Sequence, residues 1–486
     1  MSMTDASAAY FADVAGQWDE IRAGYFGEAV RAAAIRRAYL HPDMEVADVG
    51  AGTGYVAAGL APLVRQVTLL DASPEMLAVA RRNLQGVTNV VFQQAEGLAL
   101  PLPDGSQDAV FANMYLHHIP EPLEALREMV RVLRPGGRLV ITDMDAHPYA
   151  WLKAEMADVW QGFERPQVRA WFEQVGLVNV IVDCSGEACH SESAQAATPA
   201  AERQAEISIF VAVGTKAVAG AVEAVGEHYA AIARSGGSCC SPAPAEALDA
   251  GNCCAPVGLL TLDEIQVPAS QDSVRWDAGY TDDERQAAPG EAVEISLACG
   301  NPTAFAALQP GEVVLDIGSG GGLDAFLAAR QVGPAGKVIG VDMTAEMLER
   351  ARRSAERAGL SQVEFREGRA DALPVVDGSV DVIISNCVIN LTPDKGRVFR
   401  EAFRVMKPGG RLEVSDMVTS GSFPASRRSG LASWGGCIDG ALPQQEYLDL
   451  AAQAGFVDIR TQRSSSAGLV DGVEVYSLQV SARRPA

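Results

Sequence analysis

The 486-residue chain lacks any stretch typical of a membrane protein or a secreted one. No apolar run approaches the roughly 20 residues that a membrane-spanning helix needs. The first twenty residues, MSMTDASAAYFADVAGQWDE, have no basic start and no apolar segment, so they do not resemble a secretory signal. We therefore expect a cytoplasmic protein without a membrane partner.

Positive charge is also scarce. Lysine and arginine number 39 against 62 aspartates and glutamates, which gives a net charge of −23 at pH 7. Binding to nucleic acid needs clustered cations that neutralise phosphates, so we expect no nucleic-acid partner.

Disulfides and a structural zinc site are disfavoured as well. In a cytoplasmic chain the nine cysteines are expected to be thiols. No C-x-x-C pair occurs, and the adjacent cysteines at 239–240 and 253–254 suit tetrahedral zinc poorly.

What the chain does contain is a repeat of a whole domain. EALREMVRVLRPGGRLVITDM in the first half matches RVFREAFRVMKPGGRLEVSDM in the second. The spacing is constant over this part of the repeat, since 273 residues separate Asp108 from Asp381 and Pro135 from Pro408. A repeat of this length indicates two copies of one domain rather than a solenoid.

Both copies alternate β-branched runs with amphipathic stretches, which predicts an α/β fold with a parallel sheet between helices. We expect one domain at 1–215, a linker at 216–222 and a second domain at 223–486. A Gly-, Ser-, Pro- and Cys-rich loop is predicted at 234–256.

A glycine-rich turn follows the first strand of each copy, as DVGAGTG at 48–54 and DIGSGGG at 316–322. Glycine lets the backbone turn tightly and approach a ligand. Asp71 and Asp342 end the next strand, where a carboxylate can accept two ribose hydroxyls. The turn alone would also fit a nicotinamide-binding domain, but the spacing is G-x-G-x-G, and LP-x-x-DGS-x-D and PGGRL segments follow.

Together these segments resemble class I S-adenosylmethionine-dependent methyltransferases. The resemblance implies two tandem Rossmann-like domains, each a mostly parallel seven-stranded sheet with helices on both faces and a reversed last strand. It implies S-adenosylmethionine as cofactor. The implied cofactor-binding residues are Asp48, Gly50, Gly52, Gly54, Asp71 and Glu96 in the first copy, and Asp316, Gly318, Gly320, Gly322, Asp342, Met343 and Ala370 in the second. Arg369 departs from the acidic residue common at that point, which leaves the amide of Ala370 to contact the adenine.

Cysteines distinguish the second copy from the first. Cys387 stands in DVIISNCVINL, where the first copy has Met114 in DAVFANMYLHH. With Cys299 and Cys437 it makes three cysteines on loops that this fold gathers at one sheet edge. Three thiolates there would suit a soft, thiophilic centre, although a single cysteine is often only a small buried hydrophobe.

Segments from about 225 to 480, among them GGSCC, CGNPTAFAALQPGE and GCIDGAL, resemble bacterial arsenite S-adenosylmethionine methyltransferases. The resemblance implies that Cys299, Cys387 and Cys437 hold arsenic(III) as thiolates for methylation and detoxification. It implies that Cys240, or its neighbour Cys239, acts from a mobile loop, and that thioredoxin or glutathione serves as the thiol reductant. The second pair, Cys253 and Cys254, leaves open which loop cysteine acts.

The first copy lacks these cysteines and resembles the small-molecule methyltransferases that include quinone-biosynthesis enzymes. His117 or His118 would serve there as a general base, or would simply bond to the backbone. Cys184 and Cys189 are expected in a loop between the last two strands, either relaying arsenic or incidental.

Two other functions stay open. One is methylation of another thiophilic metalloid or a small thiol. The other is a cysteine-rich metalloid-binding protein with vestigial cofactor sites, against which the intact glycine turns and both ribose-binding aspartates count.

Overall fold

A computed structural model describes residues 5–193, 203–235, 279–296, 298–424, 427 and 438–486. The chain divides into two compact units. The first comprises Met1–Val218 with Phe423–Ser429, and the second Ala219–Ser422 with Gly430–Ala486. No helix of the described residues is both long and apolar enough to cross a bilayer.

The first unit contains a seven-stranded sheet with the order β3-β2-β1-β4-β5-β7-β6. Its strands are β1 Glu45–Val49, β2 Gln66–Asp71, β3 Val90–Gln94, β4 Gln107–Asn113, β5 Leu133–Met144, β6 Leu177–Glu192 and β7 Gln204–Lys216. Its helices are α1 Asp5–Val14, α2 Trp18–Tyr25, α3 Glu28–Ala38, α4 Tyr55–Leu60, α5 Pro74–Asn83, α6 Pro122–Val132, α7 Leu152–Glu155 and α8 Arg165–Gln174. Strands β1 to β5 pair in parallel, whereas β7 runs antiparallel to both β5 and β6.

The second unit repeats this arrangement with the order β10-β9-β8-β11-β12-β14-β13. Its strands are β8 Val313–Ile317, β9 Lys337–Asp342, β10 Val363–Glu367, β11 Val380–Asn386, β12 Met406–Thr419, β13 Val457–Val470 and β14 Val473–Arg483. Its helices are α9 Ala221–Ser235, α10 Asp282–Ala287, α11 Gly290–Glu294, α12 Pro302–Phe305, α13 Leu323–Val332, α14 Ala345–Ala358, α15 Lys395–Val405 and α16 Gln444–Gln453. The predicted fold class, including the reversed last strand, is confirmed.

Central strands are apolar because helices cover them. Six of the seven residues of β4 are buried, as are five of the seven residues of β11. Such near-continuous burial is typical of parallel strands in α/β proteins. Local signals then set the helix ends: the Ser73 hydroxyl caps α5 by accepting from the Met76 amide, and the left-handed Gly359 ends α14.

The expectation of a loop around Cys184 and Cys189 is wrong. Both residues lie in β6, which pairs with β7 through Cys184 opposite Phe210 and Cys189 opposite Ile207. Strand β6 is at the edge of its sheet, so one of its faces tolerates the polar residues that suggested a loop. Cys184 is exposed and Cys189 is buried.

Helix α9 begins at Ala221, inside the segment predicted as the linker, and only four residues separate it from the end of β7. It belongs to the second unit, where it packs against α14.

Candidate active site

A cavity of the second unit lies at the carboxyl ends of β8, β9 and β11. The glycine turn forms one side of it, and Gly318 and Gly320 have left-handed φ angles of +72° and +49°. A Cβ built on Gly320 would meet no atom within 4 Å, so the turn is open to a ligand there. Aliphatic side chains form another wall, among them Val222, Val225 and Ile295.

Asp342 stands at the end of β9 with its carboxylate fixed by backbone amides. Its Oδ2 accepts from the Gly320 amide at 2.9 Å, and its Oδ1 accepts from the Thr344 amide at 2.8 Å. The residue lines the cavity, together with Met343. This places a carboxylate where a nucleoside ribose would be held.

Asp316 supplies a second acidic group to the same cavity. It is buried, and its Oδ2 has no hydrogen-bond partner among the described residues. Burial raises its pKa well above the usual range, and the charges of Asp324 and Asp342 raise it further. An unpaired buried acceptor facing a cavity suits a cationic ligand, and S-adenosylmethionine carries both a sulfonium and an ammonium group.

Arg369 lines the cavity beside Ala370. Its guanidinium makes two hydrogen bonds of 2.8 Å to Asp371, which hold the side chain. The amide of Ala370 therefore stays the group expected to contact the adenine.

The first unit has an equivalent cavity lined by Asp48, Gly50, Gly52, Asp71 and Glu96. The carboxylate of Asp71 accepts from the amides of Gly52 at 2.7 Å and Ser73 at 2.9 Å. Its walls are richer in aromatic side chains, with Phe11, Trp18, Phe26 and Tyr55 among the lining residues.

The third glycine of each turn does not line its cavity. Gly54 and Gly322 precede α4 and α13 with φ angles of +86° and +93°. A Cβ on Gly54 would meet Leu84 at 3.0 Å, and one on Gly322 would meet Phe326 and Phe365 at 2.9 Å. These two positions allow close packing between helix and sheet rather than contact with a ligand.

Two of the predicted arsenic ligands come together beside the second cavity. Cys387 directly follows β11, is buried and lines the cavity, and its amide donates to the Ser415 carbonyl at 2.8 Å. Cys299 is buried too, with its sulfur 3.4 Å from the same carbonyl oxygen. The two sulfur atoms lie within 4.8 Å of each other. Cys437 and Cys240 lie outside the described residues, as do Cys239, Cys253 and Cys254.

Asn386 holds the loop that carries Cys299. Its Oδ1 accepts from the amides of Cys299 at 3.1 Å and Gly300 at 3.2 Å, and its Nδ2 donates to the Gly300 carbonyl at 2.6 Å. The same Nδ2 lies 3.0 Å from Asp324, which also accepts from Tyr280 at 2.6 Å. The sulfur of Cys299 is therefore positioned by a buried polar network.

Asp416 lies beside Cys299 and Cys387 and was not predicted from the sequence. It is buried in β12, and one carboxylate oxygen lies within 4.8 Å of both sulfur atoms. Its Oδ2 accepts from the Asn390 amide at 2.8 Å and the Tyr447 hydroxyl at 3.0 Å. Burial raises the pKa of Asp416 to about 7. The repeat carried the signal, because Asp143 occupies the matching place 273 residues earlier.

Two family models, each described as a methyltransferase domain, match residues 47–141 and 308–455. The matched regions cover β1 to β5 and β8 to β12, the strands whose ends form the two cavities. The chain belongs to the S-adenosylmethionine-dependent methyltransferases and carries two of their domains in tandem.

More particularly, the chain is similar to arsenite methyltransferases. That of Halobacterium salinarum is 41% identical over 273 residues, which cover 54% of this chain and 66% of the relative. That of Aquipseudomonas alcaligenes is 44% identical over 172 residues (34% and 50%), and that of Homo sapiens 41% over 152 residues (29% and 40%). The alignments thus span 40% to 66% of these relatives' lengths. The predicted resemblance is confirmed.

A solved structure of an arsenic(III) S-adenosylmethionine methyltransferase from Chlamydomonas reinhardtii is 36% identical. It matches with a TM-score of 0.38 over 42% of this chain and 73% of that one.

Proposed function

We propose that the second unit methylates trivalent arsenic held by cysteine thiolates, with S-adenosylmethionine as the methyl donor. The observation that supports this most is the pair of buried sulfurs of Cys299 and Cys387, within 4.8 Å of each other beside the donor cavity. Two bonds of about 2.3 Å, the length found for zinc–sulfur bonds, place their sulfurs at most roughly 4.6 Å apart, so one centre can bind both thiolates once the sulfurs approach each other. Thiolates are also the ligands that soft centres prefer.

The remaining ligands are assigned from the resemblance. Cys437 would complete a pyramid of three thiolates around arsenic, and Cys240 would deliver arsenic or resolve the oxidised product. In the donor cavity, Asp342 would hold the ribose, Asp316 the cationic part and the Ala370 amide the adenine.

Thiolates replace the hydroxyls of arsenite, and arsenic keeps its lone pair. The donor supplies a methyl group on a cationic sulfur, so the arsenic lone pair forms the new bond to carbon while that sulfur keeps the electrons of the bond that breaks. Arsenic passes from the trivalent to the pentavalent state. A thiol reductant such as thioredoxin or glutathione returns two electrons and becomes a disulfide.

The Asn386 network contributes positioning. By fixing the Cys299 loop against the end of β11, it keeps the two sulfurs in one place before arsenic arrives. Most of the protein's work in such a transfer is alignment of the attacking atom with the methyl group.

The decisive experiment replaces Cys387 by serine. We expect arsenic methylation to fall at least about 100-fold, since the attacking atom loses a ligand that positions it. Purified full-length protein is incubated with arsenite, labelled S-adenosylmethionine and thiol, and the arsenic species are separated and counted. Binding of S-adenosylhomocysteine should change little.

Cys184→Ser is the matched control, because Cys184 is an exposed cysteine of the first unit. It should methylate arsenite at the wild-type rate. Undiminished methylation by Cys387→Ser, or an equal loss of nucleoside binding, would show that Cys387 only packs.

The same assay separates the alternatives. Arsenite that is bound but never methylated would leave only the metalloid-binding function, and turnover with another metalloid or a small thiol alone would change the substrate. For detoxification, expression in an arsenite-sensitive bacterium should raise the arsenite concentration tolerated, and the Cys387→Ser variant should not.

A further inference from the structure

A buried cluster of histidines and aspartates in the first unit has no part in the proposed reaction. His117 and His118 lie in the 3-10 turn Leu116–His118 after β4, Asp143 lies near the end of β5, and Asp158 follows α7. All four residues are buried. The Asp158 loop is tied to the turn, because the amides of Val159 and Trp160 both donate to the His117 carbonyl, at 2.9 and 3.0 Å.

Asp143 fixes the ring of His117. The Nδ1 atom of His117 lies 2.6 Å from Asp143 Oδ1, and Asp143 also accepts from the Leu116 amide at 2.9 Å. When His117 donates a hydrogen bond from Nδ1 to Asp143, its Nε2 atom faces Asp158.

Distances around Asp158 leave room for an ion. The Oδ1 atom of Asp158 lies 3.7 Å from His117 Nε2 and 3.7 Å from His118 Nδ1. That is too long for a hydrogen bond. It is shorter than the roughly 4.2 Å that two bonds of about 2.1 Å to a common metal ion can span. His118 Nδ1 also lies 3.4 Å from the Ala157 carbonyl oxygen, a long contact that a bound metal ion would replace. All three ligand atoms lie within 4.8 Å of one another.

We propose that His117, His118 and Asp158 form a binding site for a divalent transition-metal ion such as Zn²⁺. Two imidazoles and one carboxylate are a ligand set that borderline metals prefer, and three protein ligands leave a coordination position open. Asp143 is the positioning residue, since metal-bound histidines commonly donate their other ring proton to a carboxylate. His118 also lines the first cavity, so the ion would lie at the wall of the donor pocket.

The site belongs to the first unit only. At the spacing of 273 residues, His117 and His118 correspond to Asn390 and Leu391, which are not metal ligands, while Asp143 corresponds to Asp416. The shared aspartate keeps its bond to the turn in both copies, accepting from Leu116 in one and Asn390 in the other.

The test is a titration of full-length protein with Co²⁺, followed in the visible spectrum. Weak d–d bands report all bound Co²⁺, and intense near-ultraviolet charge-transfer bands report the share bound by cysteine. We expect the wild-type protein to bind one Co²⁺ ion that shows no sulfur charge-transfer bands. The His118→Gln and Asp158→Asn variants should both fail to bind this ion. Asp143→Asn should keep the full stoichiometry but weaken the affinity by about 10- to 100-fold.

His190→Gln is the control, because His190 is an exposed histidine in β6 of the same unit. It should bind Co²⁺ as wild type does. Circular dichroism checks that each variant folds, and the two ligand variants test the site independently. The proposal is overturned if the wild-type protein binds no Co²⁺ ion of this kind, or if the His118→Gln and Asp158→Asn variants fold and still bind it.

Discussion

At the scale of single residues, Met114 and Cys387 have the same backbone conformation in the two copies but different side chains. Both directly follow a strand, both line a cavity, and both have left-handed φ angles, +48° and +58°. For a residue other than glycine this conformation costs roughly 1–2 kcal/mol. Both copies keep it, so the turn is common to the two domains, and the side chain differs, a thioether in the first copy and a thiol in the second.

Glu413 allows a pH prediction. It is buried in β12 and accepts a hydrogen bond from Ser481 of β14, and burial raises its pKa to about 7. A folded-state pKa above the unfolded value of about 4.3 means that its contribution to stability is present at low pH and lost as pH rises through 7. Glu413→Gln should therefore stabilise the second unit by about 1–2 kcal/mol at pH 8 and change little at pH 5.

Hydrogen exchange of peptides from β12 and β14, compared with wild type at each pH, measures this. Glu364→Gln is the control of opposite sign, because Arg366 and Lys337 lower the pKa of Glu364 to about 2. Glu364→Gln should destabilise the second unit at pH 8 by less than about 1 kcal/mol, since the ion pairs of Glu364 with Arg366 and Lys337 lie at the surface. An equal effect of Glu413→Gln at both pH values would contradict the prediction.

At the scale of elements, helix α9 does more than link the domains. Val222, Val225 and Tyr229 of this helix line the second cavity. Gly226 faces Met343, another lining residue, so closely that an added Cβ would lie 3.1 Å from the methionine methyl group. The helix thus forms part of the wall of the second cavity.

Gly226→Val should consequently weaken nucleoside binding by the second unit about 10-fold, because the new side chain displaces Met343 or the helix. Isothermal titration with S-adenosylhomocysteine measures this. Ala231→Val places the same side chain at an exposed position of α9 and should leave the affinity unchanged. Equal losses in the two variants would show that the loss does not come from the contact with Met343.

How much the sequence could predict depended on whether a feature is local. The glycine turns and the aspartates that end β2 and β9 were predictable, because adjacent residues determine their backbone conformation. Asp158 was not, since its partner His117 lies more than twenty residues away in the chain. Asp416 was predictable only by comparison with Asp143 of the first copy, because its own partner Asn390 is also distant in the chain. A loop was predicted around Cys184 and Cys189 because the polar residues of an edge strand resemble those of a loop.

At the scale of the whole molecule, the two units share one strand order and one hydrogen-bond arrangement, in which the aspartate that ends the second strand accepts from the second glycine of the turn. We therefore expect two S-adenosylhomocysteine molecules to bind per chain. Asp71→Asn and Asp342→Asn should each weaken one of the two sites at least about 10-fold, because a hydrogen bond to a charged group contributes about 1.5–3 kcal/mol.

The two variants are each other's control. Asp342→Asn should depress arsenic methylation, whereas Asp71→Asn should leave it near the wild-type rate. One bound molecule in the wild type, or loss of arsenic methylation in Asp71→Asn with the second site still filled, would contradict the assignment.

The contrast between the aromatic wall of the first cavity and the aliphatic wall of the second has a practical consequence for chemical probes. An inhibitor that only mimics the nucleoside would meet the same aspartate and glycines twice and block both halves. A flat hydrophobic substituent would instead stack on Phe11, Trp18 or Tyr55 and select the first half, whereas a compact branched one would fit against Val222 and Val225. Selective compounds of these two kinds would let each half be silenced in a living cell without altering the gene.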